Sequence, residues 1–577
     1  GTGKTRTLTA RIEYLIWERN VLPSQITAVT FTNRAAGEMR TRLSRTRERK
    51  RAVQELQIGT FHSICLHFLQ KHGDTCRLAD EAIMLELAEN TVKELGLSIS
   101  PSRLISLISL KKSGKPGAAG EIWEEAFRHY QRQIDEIGAM DYDDLLLRTL
   151  QLVKKGGNPG EAFTYLLADE FQDCSPAQYE LLRAWNKAGA QLFVIGDPDQ
   201  AIYGFRGSDA GCFERFAADY PDCVRIRLTR QYRSCPEIVD AACAVISHNP
   251  GGKRPLTAVR SAGMPVRVYQ AESETEQAMY TAREIGRLVG GIDMLDAGEI
   301  KSDSASCLSG FSDIAVLYRT HRQAELLETC LKKEGIPYVT AGREDYLKEK
   351  TVRGTVCFFR SIQEEGAGYA GRLAGRILWG LEENTKDGLL YKKKQDAYRQ
   401  DYLCVKPYKL LERFIKEEGL VRNESMQKLS SASRFYASMP QFLADLALGR
   451  EADLRRCGGK RYVADAVTLS TLHGAKGLEY PVVILYGVRD GILPAEYHVK
   501  ESGSDSKLIK ETLEEERRLF YVGMTRAKEE LLILAPKEHP SRFLSELPEK
   551  GVVWEKAKEK ECGIQGRQMS LFDFVPE

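Results

Sequence analysis

Short apolar runs alternating with helical stretches, and closing on polar residues, constrain this chain more than any other feature. "ITAVTF" reads as a short buried strand and leads into the helix "NRAAGEMRTRL". Two further runs, "YLLADEFQD" and "QLFVIGDPDQ", end directly in carboxylates and amides. Strands of this kind separated by helices predict a parallel α/β sheet whose ligand lies at the carboxyl edge of the strands. A second pattern of the same type follows in "PVRVYQ", "DIAVLYRT", "PYVTAG", "AVTLSTLHG", "PVVILYGV" and "ELLILAP". Residues 65–140 read as wholly helical and interrupt the first sheet. A stretch rich in Lys, Glu, Leu and Tyr between Gly354 and Arg461 reads as a helical insertion in the second.

At 577 residues the chain is too long for one hydrophobic core, and its length suggests roughly three to five domains. Its 42% hydrophobic and 28% charged content is that of a soluble globular protein. No stretch approaches the roughly 20 apolar residues that span a bilayer, so no membrane partner is expected. The net charge of +2 gives no basis for nucleic-acid binding from the whole-chain balance, which leaves local patches to supply it. The 13 Cys are scattered without a C-x-x-C pair, which argues against zinc, an iron–sulfur cluster or a disulfide framework and for a reducing interior.

The chain opens on "GTGKT", the end of a G-x-x-x-x-G-K-[ST] phosphate loop, and the spacing "TRTLTARIEYLIWE" places a helix directly behind it. The first glycine of that pattern would lie upstream of Gly1, so a start truncated within the loop is expected. In such a loop, backbone N–H groups and a helix N-terminus favour anions, Lys4 reaches the outer phosphates and the Thr5 hydroxyl binds Mg²⁺. A chance turn would read the same. Asp169 and Glu170 weigh against chance, because adjacent carboxylates after an apolar strand are costly unless they hold a metal or do chemistry. One would hold Mg²⁺ through water, and the other would orient and deprotonate an attacking water. Gln200 is placed to sense a γ-phosphate. Cations arriving from another element are also needed, and Arg233 and Arg526 are the candidates. Leu519, Val522 and Arg526 fall at helical spacing, so Arg526 leaves a packed face. A buried ion pair is the alternative for either arginine.

Eight segments in order, "GTGKT", "AVTFTNRAAGEMRTRL", "IGTFHSI", "LADEFQD", "VIGDPDQAIYGFRGSD", "LTRQYRS", "VTLSTLHGAKGLEY" and "EEERRLFYVGMTRAKEEL", cover the chain to about residue 535. Together they resemble the UvrD/PcrA/Rep family of superfamily-one DNA helicases. The resemblance implies an α/β fold with two RecA-like parallel-sheet motor domains, each carrying a mainly helical insertion. The first motor domain would comprise 1–64 and 141–226 around the insertion 65–140. The second would comprise 227–355 and 461–545 around a short insertion at 356–460, and 546–577 would be a charged flexible tail.

For the site, the resemblance implies ATP and Mg²⁺ as cofactors, with Gly1, Thr2, Gly3, Lys4, Thr5 and Arg6 around the phosphates. Thr5 and Asp169 would serve the metal, Glu170 would be the catalytic base, and Gln200 would couple the γ-phosphate to motion. Tyr232 would stack on adenine, Glu479 would contact ribose, and Arg233 and Arg526 would be arginine fingers. Phe31, Thr60, His62, Tyr203, Phe205, Arg206 and His473 would face DNA. Aromatic side chains suit that role because they stack bases without reading them, although ordinary core packing is the alternative for any one of them.

Three departures stand out against the family pattern. The loop's start and the glutamine motif that reads adenine are expected to lie upstream of Gly1. Phe205 occupies the usual Trp position, and the second insertion, about 100 residues, is short. The run from Arg40 to Arg51 carries seven cations and one Glu. It reads either as a solvated loop or as a salt-sensitive phosphate contact.

The implied function is an ATP-dependent 3′–5′ DNA helicase or translocase on single-stranded and partial duplex DNA, in repair or replication, in a bacterial cytoplasm at the nucleoid. A helicase–nuclease motor subunit and a translocase that strips proteins from DNA are the alternatives. At the C-terminus, Gln568, Met569, Ser570, Leu571 and Phe572 resemble a bacterial sliding-clamp-binding motif.

Overall fold

The computed structural model describes residues 1–556 apart from 45–46, 75–76, 80, 116–120, 157–159, 187–190, 210, 252–254, 291–307, 342–344, 363–367, 382–384, 435, 448–464 and 496–505. The chain divides into two compact units. One comprises Gly1–Tyr232, Ala341–Ala464 and Glu514–Tyr521; the other comprises Arg233–Thr340, Asp465–Leu513 and Val522–Glu577. Among the described residues no helix is long and apolar enough to cross a membrane.

The sheet of the first unit contains β1 (Ile26–Thr30), β2 (Gln57–Thr60), β3 (Tyr165–Ala168) and β4 (Gln191–Val194). Their order is β2-β1-β3-β4 and every pairing is parallel. All five residues of β1 are buried, because both faces of the sheet are covered. On one face, Leu8, Ile12 and Leu15 of the helix Lys4–Trp17 pack with Ile26, Ala28, Ile58 and Leu167. On the other, Val29, Leu166 and Ala168 meet Phe61, Leu145 and Trp185. Each fully buried Leu, Ile, Val or Phe among them contributes about 1.5–3 kcal/mol. β2 escapes sequence inspection because its four residues include Gly59 and no apolar run.

Residues 65–140 are helical over Glu81–Glu94, Pro101–Lys112 and Glu121–Glu136. They are not wholly so: Arg77–Leu78 and Ala139–Met140 form a short parallel pair. A second helical array includes Lys350–Ser361, Tyr369–Trp379, Pro407–Glu417 and Glu424–Ser433. The two arrays share one core, in which Ile83, Leu87 and Tyr130 pack with Val352, Phe358, Phe414 and Phe442. Arg353, only 2% exposed, lies 3.6 Å from Glu86 and 3.0 Å from Glu89, and Arg376 also pairs with Glu86. The array that interrupts the second sheet in sequence is thus packed with the array that interrupts the first.

The sheet of the second unit contains β5 (Val266–Ala271), β6 (Ile314–Tyr318), β7 (Tyr338–Thr340), β8 (Val467–Thr471), β9 (Tyr480–Leu485), β10 (Ala527–Pro536) and β11 (Val552–Lys556). Its order is β7-β8-β6-β9-β10-β5-β11, parallel throughout. β11 corrects the expectation of a flexible tail from residue 546. Val552 pairs with Val266, and the charge of Glu555 is met by Arg267 at 2.7 Å and by the Tyr280 hydroxyl at 2.7 Å. Gln568, Met569, Ser570, Leu571 and Phe572 lie outside the described residues.

The basic run is not a loop over its described part. It spans the end of the helix Asn33–Leu43 and enters the helix Arg47–Glu55, and the side chains of 45–49 lie outside the described residues. Arg40 donates to the carbonyl of Ile58 and Arg42 pairs with Glu38, so both serve the fold.

Candidate functional site

Parallel pairing brings Thr30 level with Thr60 and Val29 level with Ala168, so that Phe31, Thr60, Asp169 and the segment after β4 meet at one sheet edge. Gly3 caps the helix Lys4–Trp17 with a left-handed φ of 84°. It offers no side chain to the free N–H groups of the first turn, and no acidic residue occupies that turn. A helix start left this way favours an anion. Lys4 opens the helix, and its ammonium lies 3.2 Å from the Glu170 carboxylate. Burial works to lower its pKa, but Glu170, Asp197 and Asp169 more than offset this and hold the charge. Thr5 is the next residue, while Arg6 is exposed to solvent.

Asp169, 2% exposed, follows β3 and accepts the Glu170 N–H at 2.9 Å. Burial, and then the adjacent Glu170 charge, push its carboxyl up to about 6. Such a group gains from a divalent cation, and Mg²⁺ accepts few protein carboxylates while retaining water and phosphate ligands. Among the described residues no group of three or more His, Cys, Asp and Glu forms a protein-only metal cage. Buried Asp169 and the Thr5 hydroxyl at the helix start are the groups that would hold such a metal.

Glu170 adopts φ 46° and ψ 43°, a left-handed conformation that costs a non-glycine residue on the order of 1–3 kcal/mol. The turn aims its carboxylate back at Lys4. Gln172 donates to that carboxylate, and its own carbonyl accepts the Asp197 N–H at 2.8 Å. Gln172 thereby ties the end of β3 to the end of β4. A side chain at Gly196 would meet the Gln172 oxygen at 2.4 Å, so the close approach requires glycine. Gln200 donates to Asp197 at 2.6 Å. Gln172 and Asp197 were not singled out in the sequence, although both lie inside the strand-end motifs.

Beyond Gln200, Tyr203 and Phe205 meet edge-on at 6.1 Å, and the Arg206 guanidinium lies 5.7 Å and 5.6 Å from their ring centres. Phe205 is 47% exposed, which an aromatic ring in a packed core would not be. The other DNA-side candidates sit differently. Phe31 packs edge-on to Phe61 at 5.8 Å, and the Thr60 hydroxyl caps the helix Phe61–Lys71 through the Ser63 N–H at 3.3 Å. His62 stands against Tyr142, and burial lowers its pKa to about 4, so it is neutral near pH 7 and brings no charge to a phosphate.

Tyr232 is 53% exposed, and its N–H donates to the Gly1 carbonyl at 3.0 Å. In the second unit, Arg233 bonds Glu479 at 2.8 Å and the Thr525 carbonyl at 3.1 Å. Burial opposes ionisation of Glu479, but Lys528 and Arg233 hold its carboxyl down at about 2. His473 lies in the turn after β8. Arg526, 2% exposed, follows the helix Ser506–Met524 and donates to the carbonyls of Val522 at 2.9 Å and Leu478 at 3.3 Å, and to the Thr525 hydroxyl.

A family model described as the UvrD/REP helicase N-terminal domain matches residues 1–221. One described as the UvrD-like helicase C-terminal domain matches 226–434 and 392–538. Similar proteins include the ATP-dependent DNA helicase PcrA of Staphylococcus epidermidis (strain ATCC 12228 / FDA PCI 1200), 29% identical over 644 residues. The same-named helicase of Bacillus subtilis (strain 168) is 29% identical over 640 residues. Each alignment covers 95% of this chain and 83% of the relative.

Proposed function

The chain belongs to the UvrD/REP helicase family and is an ATP-dependent DNA helicase, and from that premise we propose that it moves 3′ to 5′ along single-stranded DNA in repair or replication. The observation that carries the reading is the convergence of Gly3, Lys4, Asp169, Glu170 and Gln200 at one sheet edge, with Gln200 in the same segment as Tyr203 and the exposed Phe205 and Arg206.

Lys4 and the helix start would hold the outer phosphates of ATP, with Gly1, Thr2 and Arg6 beside them. Asp169 and Thr5 would hold Mg²⁺, which when bound neutralises phosphate charge. Glu170 would orient the attacking water and take its proton. Gln200 would register the γ-phosphate and pass its loss to the aromatic cluster three residues on. Tyr232, exposed, would stack on the base, and Glu479 would contact the ribose. Arg233 and Arg526 would supply the cations that stabilise the transferring phosphoryl group. Tyr203, Phe205, Arg206, Phe31, Thr60, His62 and His473 would contact DNA, and stacking is worth about 1–3 kcal/mol per base.

ATP turnover is expected to rise strongly with single-stranded DNA. Partial duplexes with a 3′ tail should be unwound in preference to those with a 5′ tail. Equal turnover with and without DNA, or a preference for 5′ tails, would overturn this reading.

The Gln568–Phe572 segment is proposed to bind a bacterial sliding clamp, with Gln568 supplying directed hydrogen bonds and Leu571 and Phe572 the apolar anchors. A peptide of residues 564–577 should bind a bacterial clamp and lose binding when Leu571 and Phe572 are both changed to Ala. Binding that survives the double change removes the proposal.

A further inference from the structure

The aromatic segment 201–206 is held by three charged side chains remote in sequence. The Gly204 N–H donates to the Glu515 carboxylate at 2.8 Å, while the Gly204 carbonyl accepts from Lys115 at 3.3 Å. Three residues earlier, the Ala201 carbonyl accepts from Arg518 at 2.9 Å. A Cβ at Gly204 would stand 2.3 Å from the Glu515 carboxylate, and one at Gly207 would stand 2.3 Å from the Ser113 hydroxyl. The segment therefore approaches its supports more closely than any side chain would allow. Burial raises the Glu515 pKa, opposed by Arg518, the Gly204 N–H and Lys115. The Gly204 N–H bonds the carboxylate directly, and the charges of Arg518 and Lys115 favour its ionised form.

Glu515 and Arg518 lie one turn apart on the helix Ser506–Met524. Gln200, whose amide donates to Asp197 at the sheet edge, immediately precedes the segment they hold. A displacement of the 201–206 backbone pulls on Gln200, and the Glu515 and Arg518 contacts decide how much of it is passed on.

We propose that Glu515 and Arg518 are positioning residues that hold the segment joining Tyr203 and Phe205, where single-stranded DNA would stack, to Gln200, and so set how far DNA accelerates ATP hydrolysis. The inference rests on the helicase reading and adds the route by which one ligand is felt at the other's site. Neither residue touches nucleotide or DNA in it. Their contribution is the placing of the segment that does.

The test compares ATP turnover of the full chain with and without oligo-dT for wild type, Glu515→Ala, Glu515→Gln and Gly204→Ala. Glu515→Ala should leave the DNA-free rate unchanged and lower the DNA stimulation about tenfold or more, within the range of about 5–150-fold for coupling between linked sites. Glu515→Gln keeps an oxygen for the Gly204 N–H and should recover part of the stimulation. Gly204→Ala should lower stimulation too, and combining it with Glu515→Ala should add nothing further, because the carboxylate it collides with has gone.

A stimulation ratio for Glu515→Ala within about twofold of wild type overturns the proposal. So does a DNA-free rate that falls by the same factor as the stimulated one, since that is loss of fold rather than of coupling. A wild type that shows no stimulation at all overturns the helicase reading beneath it instead.

Discussion

Glu170→Gln is expected to lower ATP turnover by about 10²–10⁴, the usual contribution of a positioned general base, while nucleotide binding changes little. The amide has nearly the shape of the carboxylate and still accepts the Lys4 ammonium and the Gln172 amide, which now lie within hydrogen-bonding distance of Oε2. It cannot accept a proton from water. The left-handed backbone at this position is an independent sign of a functional constraint, because a non-glycine residue holds φ 46° only where its surroundings impose it. Removing the Glu170 charge also takes away the second largest influence, after burial, that raises Asp169. The Asp169 carboxyl should then ionise more readily, and metal binding should be preserved or improved. Single-turnover hydrolysis beside equilibrium binding of a fluorescent ATP analogue separates the two effects. Turnover within tenfold of wild type would assign the base elsewhere.

Arg526→Lys and Arg233→Ala are each expected to cost about 10³–10⁵ in turnover, the range for an arginine finger in phosphoryl transfer, with little change in nucleotide affinity. The choice of lysine at 526 follows from the structure. The guanidinium donates to the Val522 and Leu478 carbonyls at the end of a helix, so Arg526→Ala would also remove hydrogen bonds from a charged donor, worth about 1.5–3 kcal/mol each. Lysine retains a cation for those carbonyls but lacks the planar fork that meets a phosphate with two parallel bonds. Arg233 bonds Glu479 and the Thr525 carbonyl while Arg526 donates to the Thr525 hydroxyl, so the two positions share a neighbour and a double variant measures their coupling. Thermal unfolding checks that each variant is folded, and kcat against KM for ATP shows where the loss falls. A loss under tenfold at Arg526 with normal stability would remove it from the chemistry.

The sheet strands other than β2 and β11, and the helices flanking them, are legible in the sequence because their signals are local. "ITAVTF" contains β1, "NRAAGEMRTRL" is the helix Asn33–Leu43, and the spacing of Leu8, Ile12 and Leu15 marks the buried stripe of the helix behind the phosphate loop. The parallel α/β class followed from those runs, and the residues gathered at the first sheet edge followed from where the runs stop. Other features depend on partners far along the chain, where periodicity carries no information. Gln172 joins two strand ends only because β3 and β4 are neighbours. β11 exists because Arg267, almost three hundred residues earlier, neutralises Glu555 and β5 offers an open edge. The helices after β7 pack with those of 81–136 because Arg353 and the Phe358 cluster find Glu86, Glu89 and Tyr130 there. The charge states were undecided too: His62 is neutral and Asp169 titrates near 6 because of burial, which a sequence does not display. What the chain's order determined was which residues form strands and helices and which chemistry stands at their ends. Tertiary packing decided which of those ends meet, because hydrogen bonds and burial act through space and not along the chain.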